Sequence, residues 1–217
     1  MPVNTIPNRF HGLLLMVMLA ITITAYVRIP AHLNLPVHWS RGGDPDWLWP
    51  KNDALLVMPA VGVFVVAVFW AVGRSSRSVA FKPDRQVLDQ TLSAVLALLA
   101  AIQFGLLLIG IGSDIELIRL ITLGMAVVLF VVGNELRKAE PNAYGGPRLP
   151  WTIKDQARWR RQHRMAGVLF MLSGLGLGFA AWLWPAPGTL IVVLLVAAVL
   201  PATLGALWTA FTQVRTG

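Results

Sequence analysis

Two histidines and two aspartates share one short stretch, His32, His38, Asp44 and Asp46, and imidazole plus carboxylate is a donor set that zinc accepts. The spacing argues against a metal centre. His32 and His38 stand across Pro36, without the i,i+4 step that sets two imidazoles on one helix face. A hydrogen bond that pins His38 within its own loop is the simpler expectation. His163 is the other histidine that invites chemistry. It is flanked by Arg160, Arg161 and Arg164, and the carboxylates nearest in sequence that might orient it as a base are Asp155 and Glu135. Ser173 opens a Ser-Gly-Leu-Gly-Leu-Gly run but lacks the strand–turn–helix setting of a nucleophile elbow. The chain has no cysteine, which removes thiolate metal sites, iron–sulfur clusters and Cys nucleophiles. No catalytic group, metal or cofactor is assigned, and the chemistry that remains is binding.

Binding chemistry concentrates between residues 133 and 164, GNELRKAEPNAYGGPRLPWTIKDQARWRRQHR. Arg137, Lys138, Arg148, Lys154, Arg158, Arg160, Arg161 and Arg164 make it strongly basic, and Trp151 and Trp159 punctuate it. A segment so charged cannot lie in hydrocarbon, so it is a loop at a membrane face. Thr152 with Asp155 three residues on approximates a capping box, which predicts an interfacial helix over 153–164 leading into a membrane span. On such a helix Trp159 and His163 share a face. Exposed aromatics of this kind mark sites more often than scaffolding.

The elements that position these residues are helices in lipid. The chain is 56% hydrophobic and 13% charged, with mean hydropathy +0.67. A soluble domain carries about a quarter charged residues. Six runs are long enough for the ~20 apolar residues that cross a bilayer: 10–29, 54–73, 91–112, 115–133, 165–184 and 188–211. The first has no small-residue cleavage site and reads as a retained anchor. The expected fold class is all-α, a polytopic membrane protein of six helices.

Orientation follows from the basic residues. Arg9, Arg215, the 74–85 loop and the 135–164 loop hold fourteen of the eighteen Lys and Arg residues, all on one side of a six-helix frame. The positive-inside rule makes that side, with both termini, cytoplasmic. The net charge of +8 then belongs to loops facing anionic lipid rather than to nucleic acid. Trp47, Trp49, Trp182 and Trp184 read as anchors at the outer interface, and Trp70 and Trp208 at the inner one. The loop between the first two helices is the only large outer one, with turns expected at Arg41-Gly42-Gly43 and Asp44-Pro45. Within the spans Gln103 is the one strongly polar side chain set deep, with Asp114, Glu116 and Arg119 near the outer end. So little intramembrane polarity argues against an ion-coupled carrier. Gly174 and Gly178, Pro59 and Pro201 read as helix-packing and kink features.

The basic stretch resembles the signature of the SdpI family of bacterial membrane proteins. The matching residues are Gly133-Asn134, Pro141-Asn142, Gly146, Arg148, Pro150-Trp151-Thr152, Trp159-Arg160 and His163-Arg164, followed by Ala166-Gly167. Gly145, Pro147 and Leu149 depart from the pattern. The first outer loop is similar to a small domain of unknown function that often precedes this signature: Leu35-Pro36-Val37-His38-Trp39, then Gly43-Asp44-Pro45-Asp46, Trp47 and Lys51. The resemblance implies a division into 1–73, the first two helices with the outer loop, and 74–217, a four-helix domain carrying the 134–164 loop.

It also implies a function: immunity to a secreted antimicrobial peptide toxin at the bacterial inner membrane, with signalling through a transcriptional repressor held at the membrane. On that view Pro36, His38, Trp39, Asp44, Asp46 and Trp47 face the toxin. Asn134, Asn142, Arg148, Pro150, Trp151, Thr152, Trp159, His163 and Arg164 form the inner face, and membrane lipid is the constant partner. A transporter or lipid-handling protein, with a polar cavity around Gln103, Asp114 and Glu116, is the alternative from a different class. A membrane metalloenzyme using His38 is a second.

Overall fold

The computed structural model describes residues 6–75, 82–138, 156–183 and 186–214. Six helices follow the apolar runs: α1 (Arg9–Arg28), α2 (Lys51–Ser75), α3 (Lys82–Gly110), α4 (Leu117–Lys138), α5 (Gln156–Leu183) and α6 (Pro187–Val214). Each is long and apolar enough to cross a bilayer, so the chain is a multi-pass helical membrane protein. Their outward faces are apolar, as lipid requires; Phe64, Phe179 and Trp182 are all largely exposed.

Packing divides the helices into two groups of three. α1, α2 and α3 touch one another, as do α4, α5 and α6, and α3 against α4 joins the groups. The closest pairing is α4 with α5. A Cβ at Gly133 would stand 2.6 Å from the Gly167 carbonyl oxygen, and one at Gly174 2.6 Å from that of Ala126. Backbones therefore meet along this seam, as small residues permit in membranes where apolar burial gives no drive. The glycines at the start and end of the basic signature are thus packing residues.

Between α1 and α2 the chain forms an antiparallel hairpin rather than turns alone: β1 (Asn34–Trp39) and β2 (Pro45–Pro50). Leu35 pairs with Trp49 and His38 with Trp47, with irregularities on both sides of His38. The turn closes through Ser40 N–H to the Asp44 carbonyl at 2.8 Å, and Gly43 takes a φ of 93° that an L side chain resists. The hairpin rests on apolar clusters beneath it. Leu35 is fully buried with Ala25, Ile29, Leu55 and Leu117, and Trp39 packs both there and against Ile118, Ala181 and Leu190. It therefore touches both helix groups.

Candidate binding faces at the two ends of the bundle

The hairpin is built to present one strand. Lys51, buried at its base, donates to the Tyr26 and Ile29 carbonyls at 3.1 and 2.9 Å. These carbonyls end α1, where a cation meets both free acceptors and the negative end of the helix dipole. Lys51, part of the small-domain pattern, thus ties the hairpin to α1. At the other end the tip lies against the start of α6. A Cβ on Gly43 would stand 2.6 Å from Pro187 Cβ, and a Cβ on Gly188 would strike the Arg41 carbonyl.

Held at both ends, the hairpin leaves Asp44, Asp46, Trp47 and Leu48 exposed. Trp47 and Trp49 meet edge to face, with ring centroids 6.0 Å apart. His38 Nδ1 lies 2.6 Å from Asp46 Oδ1, so the hydrogen bond expected to pin His38 exists and crosses the two strands. No group of three or more potential metal-ligating side chains occurs among the described residues. Of the six residues expected to face a toxin, Pro36 is buried and Trp39 is partly buried in the clusters below. Their role is to seat the hairpin, and His38, Asp44, Asp46 and Trp47 form its open face.

At the opposite end the structure corrects the expected exposed aromatic face. α5 starts at Gln156 and runs unbroken to Leu183, so Trp159 and His163 belong to a spanning helix. Both are buried, at 5% and 0% exposure. Their rings stack at 3.5 Å between centroids, and His163 Nδ1 lies 3.0 Å from the Trp159 carbonyl oxygen. That bond makes Nδ1 the protonated nitrogen, because a carbonyl only accepts. Gln162 is buried beside them. The opposite face of the same turns carries Arg160, Arg161 and Arg164, all exposed. Asn134 lies in α4, where its amide donates to Glu135 at 3.2 Å; Glu135 is itself buried and paired with Lys138 at 2.8 Å. Asn142, Arg148, Pro150, Trp151 and Thr152, with the Thr152–Asp155 box and Trp184, lie outside the described residues.

Two polar arrangements escape sequence reasoning. Pro59 sits inside α2 and brings no N–H, which strands the Leu55 carbonyl one turn back. The Gln103 amide, fully buried, donates to that carbonyl at 3.0 Å and to Thr22 Oγ1 at 2.9 Å. Gln103 is thus a repair to the helix bond that Pro59 removes. Asp114 and Glu116 do not join it; Glu116 pairs with Arg119 at 2.6 Å, and Arg119 donates to the Ala181 carbonyl at 2.8 Å. The polar cavity that a transporter would need is not assembled from these three.

The second arrangement is at the start of α1. Asn8 caps the helix through its side chain, and its own N–H donates to His11 Nδ1 at 2.9 Å, so histidine takes the place Glu or Gln usually fills in a capping box. His11 Nε2 then carries the proton, 3.0 Å from Ser93 Oγ and 3.2 Å from the Asp89 carbonyl. Ser93 itself donates to that carbonyl at 2.9 Å. This serine–histidine pair is therefore wired with the imidazole as donor, opposite to what activates a nucleophile.

The fold and its two faces define a class: a six-helix membrane protein with a rigid hairpin at one end and a basic helix start at the other. Residues 138–205 match the SdpI/YfhL protein family. The chain is also 28% identical over 153 residues, 70% of each protein, to the Immunity protein SdpI of Bacillus subtilis (strain 168). Both findings bear out the resemblance carried by the basic signature. No solved structure matches.

Proposed function

We propose that this protein is a membrane immunity and sensing protein that engages a secreted peptide toxin through the hairpin. The observation that carries this is the likeness to an immunity protein over 70% of the chain, more than twice the length of the 138–205 family match. Placing the basic end and both termini in the cytoplasm of a bacterial inner membrane sets the hairpin outside, where a secreted peptide arrives first. Its exposed face joins carboxylates to an indole and a leucine, Asp44, Asp46, Trp47 and Leu48. A cationic amphipathic peptide is complementary to that set in charge and in apolar surface. Trp47 and Asp44 are its strongest anchors, since Asp46 already serves His38.

On the inner side Arg148 and Trp151 recruit a cytoplasmic regulator, a transcriptional repressor on the family analogy. The division into a 1–73 unit that senses and a 74–217 unit that responds belongs to the same proposal. Binding is the whole of the mechanism; no bond is made or broken.

The test is survival. A toxin-sensitive bacterium expressing this protein is challenged with a panel of secreted peptide toxins, with membrane levels checked by immunoblot. Protection is expected, with Asp44→Lys weakening it at least tenfold in inhibitory concentration. Arg148→Ala with Trp151→Ala should spare peptide binding and abolish only the downstream response. Absence of protection by a correctly inserted protein would sink the immunity function.

A further inference from the structure

The arginines at the start of α5 stand at the head of a stripe that runs the length of the helix. Ala157, Arg160, Arg161 and Arg164 line a shallow recess of about 350 Å³. Continuing by steps of three or four residues, the same face exposes Val168, Leu172, Leu175, Phe179 and Trp182, at 40–80%. Such steps keep residues on one side of a helix. The opposite side is fixed inward by buried Trp159, Gln162, His163 and Ala166 and by the Gly133–Gly167 approach. Rotation of α5 to hide the stripe would break that seam.

Among the described residues none of the three guanidinium groups has an ion-pair partner, and every described carboxylate bridge lies elsewhere. We propose that this face is a binding site for one anionic phospholipid, its phosphodiester held by Arg160, Arg161 and Arg164 and an acyl chain lying along Val168, Leu172 and Leu175. The dimensions agree. Arg164 to Leu175 spans about 16 Å at 1.5 Å per residue, close to one leaflet's half of a hydrocarbon core of roughly 30 Å. Guanidinium forks match phosphate oxygens, and arginine stems extend along apolar surface to reach the headgroup layer. A recess of this volume also has room for several waters at ~30 Å³ each, so the headgroup can keep part of its hydration. The apolar stripe below the arginines sets this face apart from a docking patch for an acidic protein, which would need no lipid-facing continuation.

The experiment uses the full chain, purified in a neutral detergent and then placed in nanodiscs. Retained phosphatidylglycerol is quantified against phosphatidylcholine by mass spectrometry. The variants are R160Q/R161Q/R164Q and, as a control of equal charge change, R9Q/R74Q/R85Q. The first triple variant is expected to lose anionic lipid at least tenfold while the control keeps it. Should the first fail to insert, the single changes R160Q, R161Q and R164Q replace it, each expected to cut retention about threefold. Equal retention by the α5 variants and the control would overturn the site. So would inorganic phosphate protecting the protein against heat as well as the lipid does, which would mark a free-anion site. Loss of a co-purifying protein from the triple variant with lipid unchanged would assign the face to a protein and also overturn it.

Discussion

At the scale of single residues, the polar side chains of the bundle answer backbone needs. Gln103 supplies to Leu55 the donor that Pro59 cannot, and this makes the two positions one unit. Gln103→Leu should lower stability by about 0.6 kcal/mol and at most roughly 1.7 kcal/mol, the mean and the largest value for polar contacts between membrane helices. Pro59→Ala restores an N–H to α2, so the double variant should lose less than the two single losses added together. Reversible unfolding in mixed micelles checks this, and strictly additive losses would break the link. Sequence exposed Gln103 as unusual but not why, because the partner lies 48 residues away in another helix. His38 was legible as a loop-fixing group, and Asp46 proves to be its partner. His11 was not legible, since a histidine rarely closes a capping box.

Among the elements, all six helices were visible in the apolar runs, because lipid imposes one long rule on every span. The hairpin was not. Pro36, Pro45 and Pro50 interrupt its strands, and the Trp residues that alternate along β2 served equally well as interface anchors. The start of α5 misled for a different reason: arginine density marks a surface, yet Arg160, Arg161 and Arg164 occupy one side while Trp159 and His163 turn inward. Pairing of the hairpin tip with α6 also lies beyond sequence. It gives a direct prediction. Gly188→Val should lift the tip and leave the base, still tied by Lys51, in place. Hydrogen exchange at the Ser40 and Gly43 amides should then rise at least tenfold, with helix amides unchanged. Unaltered exchange would show that the contact holds nothing.

For the whole molecule, the two three-helix groups share a boundary that both α3–α4 packing and the hairpin cross. In the proposed topology six spans put both termini on one side, and the excess of Lys and Arg makes that side the cytoplasmic one. Reporters that work only in the cytoplasm should therefore be active when fused at either terminus and silent when inserted in the hairpin. The reverse pattern would invert the proposed faces and place Asp44 and Trp47 out of reach of a secreted peptide. The long 28-residue α5 joins the two faces physically: its Ala181 lies under Trp39 of the hairpin, and its first turns carry the arginine stripe.

That the hairpin has one support adjoining it in sequence and another far downstream in α6 bears on the order in which the protein is made. Lys51 and the α1 carbonyls leave the ribosome early, so the base of the hairpin can form while synthesis continues. The seat for its tip, Pro187–Gly188, is synthesised well after them. A chain stalled before α6 is made would therefore display the same residues without the clasp that fixes their geometry.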